Sequence, residues 1–327
     1  MNYLKTFLPY LFGNKKGKSL ETSLPDPIPW ASLGFEEILM FHTLKNTLNQ
    51  YIRSIDLKTL SPKNIYHLLN FQEYFNHDLY QEISSFFSKE LSLYKKATKS
   101  NPLKAHELQE LFDFNNQCLT VFALLKSDRT KPGVLVLRAP DGKFVTDSCQ
   151  NVWSIPILAL SGRGLPFNHS NGSTPTGIFS IDSVMPEANK NFEFGQHRRL
   201  IVNFIPESQD ESDLKILLPV SHTDKSWWAP CVLGREIGRS LLRIHGTGRK
   251  NLNPLSSYFP LVPTSGCLAT NEATFFGYKK ARDQRLLLDH LMLAQNIDPT
   301  HENESKIHGL LYVVELDDNL AALRFFI

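Results

Sequence analysis

The sequence has no run of apolar residues approaching the roughly 20 that a membrane-spanning helix needs, so no membrane span is expected. It also lacks an excess of one charge, because 35 Lys and Arg residues stand against 33 Asp and Glu residues and leave a net charge of +2. Nucleic-acid binding needs a basic excess, and no nucleic-acid partner is expected. A secretory signal has its positive charges before its apolar core, whereas the basic cluster at residues 14–18 follows a short apolar stretch. The N-terminus is therefore a poor candidate for a secretory signal.

Cysteine is scarce as well, with four residues and no CxxC spacing: Cys118, Cys149, Cys231 and Cys267. Zinc sites and redox motifs use such spacings, so no metal and no cofactor are predicted. Cys149 and Cys231 are able to pair in an oxidising compartment, but buried free thiols are the favoured interpretation.

The first part of the chain has the pattern of helices. A composition of 42% apolar and 21% charged residues over 327 residues is that of one large or two ordinary globular domains. Apolar residues recur in steps of three and four over residues 35–55, from Pro62 to about residue 94, and over residues 108–125. We therefore predict a loose segment at 1–30 and a helical bundle at 31–129, which is a possible contact surface for a protein partner.

From residue 130 onward the pattern changes to short β-branched segments separated by turn residues. This pattern predicts a mostly antiparallel β domain over residues 130–327. The fold class is therefore α+β, with the helical bundle followed by the β domain and one main helix at residues 272–295. The strands are predicted at residues 134–137, 143–146, 155–160, 177–184, 199–205, 215–219, 241–245, 311–316 and 320–326.

Chemistry is concentrated between residues 243 and 271, where the sequence reads RIHGTGRKNLNPLSSYFPLVPTSGCLATN. Cys267 follows a glycine and precedes a polar segment that could start a helix, whose positive end would favour a thiolate. His245 ends an apolar segment and is the candidate base. A Cys and His pair is the minimum for nucleophilic acyl transfer, and backbone N–H groups near Gly266 and Cys267 could hold the oxyanion.

These residues resemble a known family. His245-Gly246-Thr247, a long loop and Ser265-Gly266-Cys267, with STPTGIF at residues 173–179, resemble the L,D-transpeptidases of the YkuD type. Three departures mark a divergent member: Ser265 replaces a histidine, Ala269 replaces an Arg or Asn, and the loop is longer by a few residues. The resemblance covers about residues 130–327.

The resemblance implies a β-sandwich and a cysteine acyltransferase acting on peptidoglycan stem peptides in the cell envelope or periplasm. Cys267 would attack a tetrapeptide stem and form a thioester, and an amine or water would resolve it, giving a transpeptidase or an L,D-carboxypeptidase. The Gly246 carbonyl would orient His245. An inactive cell-wall binding module is the alternative from another class, because two motif positions differ.

The remaining candidates surround this pair. Thr264 and Ser265 flank the oxyanion region together with Gly266. Arginines grip carboxylates through two parallel hydrogen bonds, so Arg243 and Arg249 are candidates for substrate binding, as are Arg198 and Arg199. The set of expected substrate-binding residues is completed by Thr247 and Trp228.

Overall fold

The computed structural model describes residues 57–70, 77–99, 101–205, 211–272, 274–275, 278–279 and 282–317. Within these ranges the protein is a mixed α and β structure, as predicted. The predicted loose segment, the predicted helix at 35–55 and the predicted strand at 320–326 lie outside the described residues.

Eight helices are found in the described part of the chain. They are α1 (Pro62–Leu69), α2 (His77–Phe86), α3 (Ser88–Thr98), α4 (Ala105–Asp113), α5 (Asn191–Phe194), α6 (Ser212–Lys215), α7 (Ala229–Glu236) and α8 (Asp283–Ala294). Short 3-10 turns occur at Leu57–Thr59, Val220–His222 and Asn303–Lys306. Helix α1 begins at a cap, because Ser61 accepts a hydrogen bond from the Asn64 amide and Pro62 is at the first helical position.

One eight-stranded sheet, in the order β3-β2-β1-β10-β4-β5-β6-β7, forms the centre of the protein. Its pairs are antiparallel except for β1 with β10 and β6 with β7. The strands are β1 (Thr120–Lys126), β2 (Gly133–Arg138), β3 (Ser154–Ile157), β4 (Gly177–Val184), β5 (Leu200–Phe204), β6 (Leu242–His245), β7 (Leu268–Ala269) and β10 (His308–Leu316), and β8 (Thr274–Phe275) pairs with β9 (Tyr278–Lys279).

The two ends of the sheet meet and nearly close it. Leu158, just after β3, exchanges two backbone hydrogen bonds with Ala269 of β7, with N···O distances of 2.9 and 2.8 Å. In the described residues these eight strands thus form one nearly closed sheet, and β8 and β9 form a separate two-stranded sheet. The predicted β-sandwich stays a prediction.

Four predicted elements differ from the structure. Residues 143–146, predicted as a strand, contain only isolated bridges, of Phe144 with Arg138 and of Thr146 with Val152. The helix predicted to residue 125 ends at Asp113, and Thr120–Lys126 is a strand that is buried on both faces. Residues 215–219, predicted as a strand, begin at the end of α6 and continue into turns. The helix predicted from residue 272 starts at Asp283, because β8 and β9 occupy part of the intervening segment.

Two apolar clusters support the fold. The larger lies between the sheet and the helices α4, α7 and α8. The smaller joins α1 and α3 to one side of α7, through Ile65, Leu69, Tyr94 and Leu233 among others. Helix α7 therefore contributes to both clusters. The domain division at residue 130 stays a prediction, although β1 lies within the range predicted as the bundle.

Candidate functional site

The parallel pairing of β6 and β7 places the candidate base and the candidate nucleophile on neighbouring segments. In this register Ile244 lies opposite Leu268 and His245 opposite Ala269. His245 is the last residue of β6, and Cys267 directly precedes β7. On the other side of β6, Leu200 of β5 lies opposite Ile244 and Ile201 opposite Arg243. Residues 22 positions apart in the chain thus lie on adjacent strands.

The His245 imidazole is fixed in one orientation. The side chain is 2% exposed, and its Nδ1 lies 2.5 Å from the carbonyl oxygen of Gly246, to which it donates in the neutral tautomer. The ring of Phe194 packs against the imidazole edge to face, with centroids 5.1 Å apart. Nε2 is buried and has no hydrogen-bond partner. The orienting carbonyl expected from the resemblance is therefore present, and Nε2 keeps a free lone pair.

The surroundings of His245 keep its ring neutral. Burial lowers its pKa to about 4, against the opposing effect of the hydrogen bond to Gly246, and the nearby guanidinium groups of Arg199 and Arg243 lower it further. At neutral pH the imidazole is consequently a proton acceptor, which is the state that a general base requires.

The thiol of Cys267 lies against strand β6. Its Sγ is 3.9 Å from the carbonyl oxygen of Leu241, a weak hydrogen bond. Leu241 has a φ of 61°, a left-handed conformation that is uncommon outside glycine. Burial raises the pKa of Cys267, while the backbone N–H of Arg243 and the charges of Arg243, Arg239 and Arg199 act in the opposite direction. The resting pair is thus a neutral thiol beside a neutral imidazole.

The expected helix dipole at Cys267 is absent. The residues that follow the cysteine are β7, and α8 begins only at Asp283. The prediction that a helix N-terminus would stabilise the thiolate is therefore wrong. Positive charge near the sulfur comes from arginine side chains instead.

The backbone before Cys267 is held by Arg239, which belongs to no motif recognisable in the sequence. The Arg239 guanidinium donates to the carbonyl oxygens of Phe167, Ser173 and Gly172 at 2.5 to 2.9 Å. It also packs against Gly266, whose φ is +104°, and a Cβ there would lie 2.5 Å from Nη2 of Arg239. Glycine is required at this position because any Cβ would collide with Arg239 and because the positive φ is unfavourable for other residues.

Two hydroxyls complete the support of this loop. Thr174 Oγ1 donates to the Gly266 carbonyl at 3.0 Å, and Thr264 Oγ1 donates to the Cys267 carbonyl at 2.7 Å. The Thr174 contact thus joins the segment at residues 173–179 to the loop directly before the cysteine.

No protein-family model, no curated protein and no solved structure matches this chain. In the described part of the chain, no helix has both the length and the apolar character to cross a bilayer. Groups of three or more metal-binding side chains are likewise not found among the described residues. Function is therefore argued from the site itself and from the resemblance in the sequence.

Two of the expected site residues make contacts within the protein. The Thr264 amide donates to the Leu160 carbonyl and its hydroxyl to the Cys267 carbonyl, and its place beside the oxyanion region stays a prediction. Trp228 is 0% exposed, donates from Nε1 to the His222 carbonyl and lies under Lys96. Its ring is part of the core and does not line a substrate groove.

The other expected residues lie around the pair. Ser265 is exposed beside the buried Gly266, and Arg243 is half-buried next to the thiol. Thr247 is buried, with its hydroxyl donating to the Arg249 carbonyl at 3.1 Å. Arg249 is exposed and its guanidinium lies 5.5 Å from the Phe192 ring. Their roles in substrate binding stay predictions.

Three residues that the sequence did not single out as site residues, Glu272, Gln284 and Thr270, support the backbone around His245. A Cβ on Gly246 would lie 2.3 Å from Cδ of Glu272, so this carboxyl group packs directly on the His-Gly turn. Gln284 of α8 donates to the Ile244 carbonyl and accepts from Thr270, whose amide donates to the His245 carbonyl. The end of β6 is thus fixed from two sides.

All four cysteines are free. Cys231 is buried, its thiol donates to the Trp228 carbonyl at 3.0 Å, and burial raises its pKa to about 12. Cys149 is exposed. The favoured interpretation, buried free thiols, is confirmed for Cys231 and wrong for Cys149, which is free but exposed. Pairing of Cys149 with Cys231 is not seen.

Proposed function

We propose that this protein is a cysteine acyltransferase in which Cys267 is the nucleophile and His245 the base. The observation that carries the proposal is the state of His245, whose Nδ1 is held by the Gly246 carbonyl while Nε2 is buried without a partner. The thiol lies against residues 241–243 of the chain that leads into His245. Arg243, whose backbone N–H acts on the thiol, is two residues before His245, and two residues of a strand span about 7 Å. The thiol therefore lies on the segment next to the base, and in the proposed reaction it turns from Leu241 towards the unpartnered Nε2.

The reaction follows from this arrangement. Nε2 takes the proton of the Cys267 thiol as sulfur bonds to the carbonyl carbon of an amide. When the tetrahedral intermediate collapses, the C–N bond breaks, the proton passes from the imidazole to the leaving amine, and a thioester remains. An incoming amine completes a transfer, and water completes a hydrolysis.

The substrate part of the proposal rests on the resemblance. His245-Gly246-Thr247 and Ser265-Gly266-Cys267 support an L,D-transpeptidase of divergent type, acting on tetrapeptide stems of peptidoglycan in the cell envelope. The same resemblance supports a β-sandwich catalytic domain, preceded here by a helical bundle. An L,D-carboxypeptidase uses the same thioester and differs only in the acceptor.

Intact-mass spectrometry tests the chemistry. The protein is mixed with a tetrapeptide donor or a carbapenem, and an adduct of the mass of the acyl group is expected. Cys267→Ala should give no adduct, and His245→Gln should form it much more slowly while retaining the thiol. Digestion of defined peptidoglycan, followed by mass analysis of the products, then separates cross-linking from trimming. The absence of any Cys267 adduct with every donor would refute the proposal.

One observation favours a second candidate, a cell-wall binding module without activity. Burial raises the pKa of Cys267, and Ser265 and Ala269 depart from the family pattern. Such a module should bind peptidoglycan equally well as wild type and as Cys267→Ala, with neither forming an adduct. Binding that is retained without acylation would therefore select this second candidate.

A further inference from the structure

Three arginine side chains surround the Cys267 thiol without a carboxylate partner. The β5 and β6 register, continued by one residue, places Arg199 opposite His245 and on the same face of the sheet. Arg243 is two residues before His245 and shares this face as well. Arg239 reaches the same place from another segment and packs on Gly266. All three charges act on the thiol.

The contacts of these arginines are to neutral groups. Arg199 donates to the Asn189 side chain at 2.8 Å and stacks on Phe194, with its guanidinium carbon 4.2 Å from the ring centroid. Arg243 donates to the Leu242 carbonyl, and Arg239 donates only to carbonyl oxygens. Arg199 is 7% exposed, and its Nε is buried without a hydrogen-bond partner.

Four other arginines in the described ranges, Arg129, Arg198, Arg235 and Arg285, each form an ion pair with a carboxylate. Arg198 makes an instructive comparison with its neighbour Arg199, because it pairs with Glu304 and donates to the His301 carbonyl. Arg138 is buried with neutral partners only, so a single arginine of this kind does not define a site.

The surroundings of Cys267 differ because three guanidinium groups act on one thiol, two of them buried (Arg199 and Arg239) and one half-buried (Arg243). Burial of a charge without a counter-charge is costly. This concentration of positive charge therefore indicates a site for an anion.

The carboxylate that comes nearest to this region is Glu272. It packs on Gly246 and Gly195, and its Oε2 accepts a hydrogen bond from the Gln196 amide at 2.7 Å. Glu272 thus supports the His-Gly turn, and the three charges beside the thiol remain for a ligand.

We propose that Arg199, Arg239 and Arg243 form a carboxylate site beside Cys267, which selects acyl donors with a free carboxylate close to the bond that is broken. A guanidinium binds a carboxylate through short charge-assisted hydrogen bonds. A peptide that loses its C-terminal residue has such a group on the leaving part, whereas an internal bond of a longer chain does not. As a substrate selector this site depends on the proposed acyl transfer, but its preference for an anion can be measured on the thiol alone.

A pair of alkylating reagents measures that preference independently of any enzyme activity. Iodoacetate and iodoacetamide form the same S–C bond with release of iodide, and only the first carries a carboxylate. The rate ratio of iodoacetate to iodoacetamide is determined by peptide mass spectrometry at Cys267 and at the exposed Cys149. The carboxylate of iodoacetate accepts charge-assisted hydrogen bonds from the arginines, which the neutral iodoacetamide cannot do. The ratio at Cys267 should therefore be roughly tenfold or more above the ratio at Cys149.

Variants assign this effect to the arginines. Arg243→Gln, at a half-buried position, should lower the Cys267 ratio several-fold, and 0.5 M salt should do the same in the wild type because salt screens partly exposed charges. Arg235→Gln is the matched control and should leave the ratio unchanged, because Arg235 is half-buried, forms an ion pair with Glu236 and is not among the charges that act on Cys267. Equal ratios at Cys267 and Cys149 in a folded wild-type protein would overturn the carboxylate site.

A donor pair then tests the link to the reaction. A peptide with a C-terminal carboxylate should acylate Cys267 at least about tenfold faster than the same peptide with a C-terminal amide, and Arg243→Gln should reduce this difference. If the reagents show the anion preference but neither peptide acylates, the proposed function fails and the carboxylate site stands. If both peptides acylate equally, the proposed function stands and the selection by carboxylate fails.

Discussion

At the scale of single residues, the site consists of groups that are neutral at rest and surrounded by fixed positive charge. Burial raises the pKa of Cys267 and lowers that of His245 to about 4. The sequence indicated both residues, because a His-Gly and a Gly-Cys are recognisable locally. Arg239 was not predictable, since its importance comes from contacts with residues 167–173 and 266 that only the folded chain brings near it.

The buried neutral His245 should make stability depend on pH. Its pKa in the folded protein is about 4, below the ordinary value of 6.5, so the unfolded chain binds more protons between these values. Stability is then full above pH 6.5 and falls as pH drops towards 4, by about 3 kcal/mol from this group. Urea unfolding from pH 7 to pH 4 measures the slope in the wild type and in His245→Gln.

The variant should show a shallower decline over this range. Some decline should remain, because burial also lowers the pKa of His67 to about 4. Identical slopes for the two proteins would contradict the assignment of a depressed pKa to His245.

Gly266 offers a second residue-scale prediction with an internal control. Gly266→Ala places a Cβ against Arg239 and the Gly172 carbonyl at a φ of +104°, whereas Gly164 has a φ of +67° and nothing within 4 Å of its Cβ position. The positive φ alone costs about 1–3 kcal/mol at either site. Urea unfolding should therefore show a larger loss for Gly266→Ala than for Gly164→Ala, together with a changed alkylation rate of Cys267. Equal losses would show that Arg239 does not confine this position.

At the scale of elements, the accuracy with which strands could be predicted from the sequence depended on how they are buried. Strands β4 and β6 were placed within a residue of their observed ends, because turn residues bound them. Strand β1 was missed since it is apolar on both faces, and a continuous apolar run fits a helical period as well as a strand. Its parallel partner β10 is about 190 residues away in the chain, beyond the reach of local patterns.

Helix α1 should stabilise the loop that holds Arg239. Asn70, at the end of α1, donates to the Asn168 carbonyl at 2.6 Å and accepts from the Asn168 side chain at 2.7 Å. Asn70→Ala removes both bonds and leaves the buried Asn168 amide unpaired, at a cost of about 1–3 kcal/mol. Hydrogen exchange should then increase at the amides of Ser173 and Thr174, which are bonded to Leu165 and Ala159.

Exchange in the centre of β10 serves as the reference for that experiment. The exchange rate in β10 should increase only by the amount that the loss of global stability explains. An increase of the same size at β10 and at residues 173–174 would mean that Asn70 acts on the whole fold and not on the loop.

At the scale of the whole molecule, α7 joins the helical part to the sheet. One side of this helix places Leu233 and Ile237 among α1 and α3, and the other places Cys231 and Val232 in the core of the sheet. A rigid helix shared by two cores couples their unfolding, since neither core stays complete without it. The helices α1 and α3 and the sheet should therefore unfold in one cooperative transition, although the sequence alone suggests two separable domains.

Leu233→Ala tests this coupling. The side chain is fully buried, and its truncation should cost about 2–5 kcal/mol. Hydrogen exchange during urea unfolding should lose protection in α3 and in β10 at the same midpoint, shifted equally by the substitution. Ile216→Ala, at a residue that is 74% exposed, should shift neither by more than about 0.5 kcal/mol. Separate midpoints, with α3 alone shifted by Leu233→Ala, would establish two independent domains and restore the division expected near residue 130.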